Sequence, residues 1–167
     1  GAPSHWLVNN AIEALGRMTH RGAIAADGKT GDGCGLLLKK PDGFLRAVAS
    51  EAGITLEEGY GVGVVFLDRD DAMNANGAKA ILEQELQTEG LSVAGWREVP
   101  VDPEACGDAA KANRPLIEQI FVNRPTGMDD DQFELHLFIA RRRAEKGVDA
   151  SDDEVFYIPT LSSRVLT

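Results

Sequence analysis

The chain has 167 residues, 43% of them apolar, and its 27 acidic against 17 basic side chains give a net charge of −10. That length holds one domain with a real hydrophobic core, and the negative balance argues against nucleic acid or anionic membrane as a partner. With only two cysteines, Cys34 and Cys106, and no apolar run long enough to cross a bilayer, the composition points to a soluble, cytoplasmic protein with free thiols.

Residues 4–19 read as a helix: Ser4 is a good N-cap behind Pro3, and Leu7, Val8, Ala11, Ile12, Leu15 and Met18 recur at three- and four-residue spacing. The helix leads into residues 20–38, where charge, glycine and a thiol crowd together ahead of three leucines. Any site on the chain is expected there. Gly28-Lys29-Thr30 supplies the end of a Walker phosphate loop, but Ala23 stands where the pattern needs glycine, and the required strand before and helix after are absent. Cys34 with His20 nearby invites a Cys/His nucleophile; the plainer reading is a small, half-buried apolar residue entering a strand over 36–39. Arg21 at a helix C-terminus pairs well with unsatisfied carbonyls, and Asp32 suits bonding to backbone N–H groups of the glycine-rich loop.

Downstream, 41–43 reads as a turn, 44–52 as a short helix ended by Gly53, and 60–67 as a buried strand. There Gly59-x-Gly61-x-Gly63 marks close backbone approach rather than a nucleotide fingerprint. Residues 70–89 form an amphipathic helix carrying Ala78, Ile81, Leu82 and Leu86, ended by Gly90. A strand over 91–99 places Trp96 at the core edge, 100–115 reads as a long loop with three prolines, and 116–123 alternates as a strand.

Residues 129–146 form a strong helix whose apolar residues Phe133, Leu135, Leu137, Phe138 and Ile139 occupy more than one face, which predicts a sandwiched position. His136 reads as an interfacial or core-edge residue. The run Arg141 to Arg143 reads as a solvated helix end, with a subunit or interdomain contact as the other reading. Residues 155–159 read as a closing strand. The acidic clusters 68–71, 129–131 and 152–154 fall at turns and helix starts and lack the spacing of a calcium loop. Irregular alternation of strands and helices predicts a layered α+β domain.

Several motifs in order resemble one family. Leu15-x-x-Met18-Thr19-His20-Arg21-Gly22-Ala23, then Ala26-Asp27 and Thr30-Gly31-Asp32-Gly33-Cys34-Gly35, are similar to the start of the class II glutamine amidotransferase domain of glutamate synthases. Pro3-Ser4-His5, Gly95-Trp96-Arg97-Glu98-Val99-Pro100, Gln119-Ile120-Phe121-Val122, Phe138 through Arg143, Phe156-Tyr157 and Leu161-Ser162-Ser163 extend the resemblance over essentially the whole chain.

The resemblance implies an N-terminal nucleophile hydrolase fold, a four-layer αββα sandwich with two antiparallel sheets between helical layers, here incomplete at both ends. It implies a glutaminase whose N-terminal cysteine attacks the glutamine amide, forms a thioester and releases ammonia for reductive glutamate synthesis from 2-oxoglutarate. That cysteine is expected a short way upstream of Gly1. The Asn-Gly oxyanion pair and an arginine segment that grips the glutamine carboxylate are expected beyond Thr167. The chain alone is thus expected not to complete the chemistry.

Arg21 becomes an active-site arginine beside the nucleophile, favouring thiolate, with His20, Gly22, Asp32 and Gly33 in the supporting shell. His20 is more structural than catalytic, because an N-terminal nucleophile can use its own amino group as base. The family's FMN and 3Fe-4S cluster, and any small reductase subunit, would engage other domains of the polypeptide. The competing class of function is a non-catalytic scaffold or interaction module that kept the fold without the nucleophile.

Overall fold

The computed structural model describes residues 4–18, 24–31, 33–149 and 153–167. Its centre is a four-stranded, wholly antiparallel sheet in the order β3-β4-β2-β5, formed by β2 (Tyr60–Leu67), β3 (Ser92–Glu98), β4 (Leu116–Asn123) and β5 (Tyr157–Ser162). A second pair joins β1 (Leu38–Lys39) to β6 (Val165–Leu166). The helices are α1 (His5–Gly16), α2 (Asp42–Glu51), α3 (Ala72–Thr88), α4 (Asp108–Asn113) and α5 (Asp130–Asp149).

Alternation along β2 divides the core. Val65 and Leu67 face α3 and α5 together with Ile120, Val122 and Leu161, whereas Tyr60, Val62 and Val64 face α2 with Phe121, Leu45, Ala49 and Leu166. The helical pair approaches closely because its contact faces carry small residues: Ala75 and Ala78 on α3, Ala140 and Ala144 on α5, all buried. Strand β2 also carries glycine where side chains of α5 and β4 press on it. A Cβ on Gly61 would lie 2.7 Å from Leu137 Cδ1, and one on Gly63 would lie 2.8 Å from Ile120 Cγ2. This is the close backbone approach that the glycine pattern predicts.

The polar ends follow local chemistry. Ser4 Oγ accepts from Leu7 N–H, and Asp71 Oδ1 accepts from the N–H groups of Met73 and Asn74. Asp129 and Gln132 cap α5 reciprocally, and Asp153 Oδ1 accepts from Val155 and Phe156 N–H. The acidic clusters thus serve as caps and turns. Gly90, with φ 75°, ends α3 as expected.

Five expectations change. Helix α2 begins at Asp42, taking in most of the anticipated turn. The 100–115 segment is not a plain loop: it contains a 3₁₀ turn at Pro103–Ala105, capped by Asp102, and helix α4, where Ala109, Ala110 and Lys111 are good helix formers. Helix α5 is not sandwiched among the described residues; Phe133, Leu137, Ala140, Ala144 and Val148 form one buried face, while Leu135 is exposed and Phe138 is 57% exposed. The closing strand runs on to Ser162. Helix α1 ends at Gly16 rather than at 19, and none of its residues is buried.

The α+β class with antiparallel sheets stands as expected from the resemblance. Among the described residues its layers are the α3/α5 pair, the four-stranded sheet, and α2 with the β1–β6 pair.

Candidate functional site

Of the residues singled out from the sequence, His20, Arg21, Gly22 and Asp32 lie outside the described residues, while Gly33 has φ 86° and open space around its Cα. Between them, residues 24–31 form a small hairpin. Ile24 pairs with Gly31, Ala25 N–H donates to Thr30 O at 2.8 Å, and Gly28 N–H donates to Ala25 O at 3.0 Å.

The tip of that hairpin is organised by Asp27. Its Oδ1 accepts from the N–H groups of Lys29 at 3.0 Å and Thr30 at 2.8 Å, and its Oδ2 accepts from the Thr30 hydroxyl at 2.5 Å. With the Lys29 and Thr30 amides committed to a carboxylate of the same loop, and no helix following, Gly28-Lys29-Thr30 is not a phosphate loop. The spacing of Asp27 and Thr30 was the available sequence signal for this loop.

Past Gly33 the chain runs without regular structure to β1, which begins at Leu38, two residues later than the pattern predicts. Cys34 is therefore exposed rather than half-buried in a strand. Both thiols are free, and among the described residues no imidazole hydrogen-bonds to either: His5 meets Asn9, and His136 meets Glu89. His136 Nδ1 lies 2.7 Å from Glu89 Oε2, bridging α5 and the end of α3, where sequence reasoning put an interfacial residue.

Two clefts meet at the turn between β5 and β6. One, of about 430 Å³, lies between α5 and that turn, with Glu134, Phe138, Arg141 and Arg164 in its wall. The other, of about 300 Å³, is walled by Lys40, Glu58, Arg124, Ser163 and Arg164. Glu134 fixes the turn between them, accepting from the Ser162 hydroxyl at 2.5 Å and from Ser163 N–H at 2.8 Å and Oγ at 2.6 Å. These serines donate to a carboxylate and are locked in place. Arg124 pairs with Asp130 and Arg164 with Asp131, so most of the charge in the second cleft is already matched.

Lys40 departs from its neighbours. Its Nζ donates to Tyr60 O at 2.8 Å and sits 3.7 Å from the centre of the Tyr60 ring. Desolvation pulls its pKa below the ordinary lysine range. Tyr60 is 1% exposed; burial first, and then the neighbouring Asp42 carboxylate, push the phenol well above its usual range. Neither Glu134 nor Lys40 was marked from the sequence, and their spacing gives no motif by which to mark them.

The model of class II glutamine amidotransferases matches residues 1–167. The chain belongs to that family.

The relatives of this amidotransferase chain are glutamate synthases. It is 41% identical to the NADPH glutamate synthase large chain of Azospirillum brasilense and 38% identical to ferredoxin-dependent glutamate synthase 2 of Synechocystis. It is 34% identical to the NADPH large chain of Bacillus subtilis. These matches take in 98–99% of the chain but only 10–11% of the length of those relatives. They bear out the family resemblance read from the motifs along essentially the whole chain.

Proposed function

We propose that the protein carrying this amidotransferase chain hydrolyses the side-chain amide of glutamine and delivers the ammonia to reductive glutamate synthesis from 2-oxoglutarate. The observation that carries this is the match of one amidotransferase family over every residue of the chain, with glutamate synthases as its relatives. In this reading the nucleophile is a cysteine upstream of Gly1. It attacks the amide carbon, expels ammonia as a thioester forms, and water then releases glutamate.

Arg21 lies beside that cysteine, where a fixed cation favours thiolate. His20, Gly22, Asp32 and Gly33 shape the shell around it. The positive φ of Gly33 supports the view that this loop needs a backbone open only to glycine. Cys34 and Cys106 take no part.

The reductive half of the reaction, with FMN and a 3Fe-4S cluster, belongs to other domains and to any small reductase partner. No step of that half is derived from this chain.

The test is glutamine hydrolysis by the intact protein and by Arg21→Ala. The wild type should release ammonia and glutamate in equal amounts, and the variant should lose at least about a hundredfold in kcat/KM, the scale of a positioned electrostatic group. An intact protein that leaves glutamine untouched, or an Arg21→Ala variant of full activity, would overturn the assignment.

A further inference from the structure

The 24–31 hairpin is exposed, yet one corner of it is seated. Gly107, far along the chain, stands so close that a Cβ there would collide with the Thr30 hydroxyl and the Asp27 Oδ2 oxygen, and would lie 2.7 Å from Thr30 N. The backbone of Gly107 does not demand glycine, since its φ is −72° and any residue adopts that value. The space demands it. The Asp27 carboxylate, besides closing its own hairpin, is favoured by the N–H of Ala109 in the first turn of α4. It therefore draws donors from two segments.

The far side of this dock is anchored in the sheet layer. Arg69, just past the end of β2, donates to the carbonyls of Lys111 at 3.0 Å and Ala112 at 3.3 Å on α4, while its guanidinium also holds Asp70. A line of contacts thus runs from β2 through Arg69 and α4 to Gly107, Asp27 and Thr30. The hairpin it secures follows directly on His20-Arg21-Gly22-Ala23 in the sequence and leads within two residues to Gly33.

We propose that Asp27 and Gly107 are positioning residues for glutamine hydrolysis: their contact docks the hairpin on α4 and so fixes, relative to the sheet, the segment that joins His20-Arg21-Gly22-Ala23 to Gly33 in the sequence. This rests on the glutaminase reading given above. Neither residue touches substrate. Their effect is carried by the geometry of the residues between which the hairpin is strung, where a displacement of about 1 Å is worth up to a hundredfold in rate.

The experiment uses the intact protein with Asp27→Asn, Gly107→Ala and the double variant. Asp27→Asn is nearly isosteric but turns one acceptor into a donor, and Gly107→Ala fills the contact with a methyl group. Glutamine hydrolysis, thermal unfolding and hydrogen exchange at the Thr30 and Ala109 amides are measured on each. Each single variant should lose roughly ten- to a hundredfold in kcat. KM for glutamine should stay within about twofold, because the lost interaction is one of alignment rather than of ground-state binding. Both amides should exchange faster while the melting temperature stays within about 2 °C. The double variant should be no slower than the worse single one, since both break one contact.

Wild-type kcat in both single variants, or losses that multiply in the double variant, would overturn the proposal. So would a fall in activity that merely tracks a fall in melting temperature for the exposed Asp27→Asn. A wild-type protein that does not hydrolyse glutamine would instead bring down the glutaminase reading, and this proposal with it.

Discussion

Asp27 is exposed, yet its carboxyl is held well below the usual carboxylate range, first by the Thr30 hydroxyl and then by the N–H groups of Lys29 and Thr30, all of which donate to the ionised form. A depressed pKa in the folded state means that the carboxylate's contribution is complete above the unfolded value of about 3.9 and is lost as pH falls through the lower, folded one. The Thr30 amide resonance should therefore stay flat from neutral pH down through about pH 4 and move only in stronger acid. A titration of that resonance centred at the ordinary aspartate value would contradict the hairpin geometry. Glu89 makes a second prediction at this scale. Its half-sheltered carboxylate takes His136 and Arg143 from α5 at the end of α3, so Glu89→Ala should cost about 1–3 kcal/mol in denaturant unfolding; a change within error would show that the two helices need no such tie. The caps were legible in the sequence, because an acid or serine before an apolar period states its own role. Glu134 and Lys40 were not, because their partners Ser162, Ser163 and Tyr60 are distant in the chain and no local spacing announces them.

Among the elements, α5 and β2 carry the packing. Leu137 enters the space left by Gly61, while Ile120 and Leu161 close over Gly63. Adding a methyl group at either glycine overfills a close-packed layer. Gly61→Ala and Gly63→Ala should each cost about 1–3 kcal/mol, read as a lower urea midpoint at unchanged slope. Leu137→Ala, which leaves a cavity against the same strand, should cost about 2–5 kcal/mol. A neutral outcome at Gly61 would mean that α5 is not seated on β2 as described, and one at Gly63 that Ile120 and Leu161 do not close over the strand. The valine-rich run of β2, the alternation of β4 and the long period of α3 were readable because burial on one or two faces writes itself into composition. Helix α4 was hidden by the prolines that bracket it. For α5, apolar residues on several faces suggested burial all round, but periodicity says which side chains are greasy and not what covers them. Phe138 and Leu135 of α5, and Trp6, Leu7 and Ile12 of α1, stay exposed.

At the scale of the whole molecule, the described residues form an α+β body around a four-stranded antiparallel sheet, and the family's sequence marks run along the whole chain. No described helix is long and apolar enough to cross a membrane. The family was legible in the sequence through the order of the His20 to Gly35 motifs, whereas the closeness of Gly107 to Asp27 and Thr30 was not: a contact between segments so far apart leaves only an unexplained glycine in the sequence.

The proposed glutamine chemistry uses a cysteine other than Cys34 and Cys106. To test it, the intact protein is treated with an electrophilic glutamine analogue and the modified residue is mapped by mass spectrometry, with glutamine as competitor. Saturable, glutamine-protected labelling of a cysteine upstream of Gly1 is expected, with Cys34 and Cys106 unmodified. Saturable, glutamine-protected labelling of Cys34 would contradict it and make the exposed thiol beside Gly33 the nucleophile.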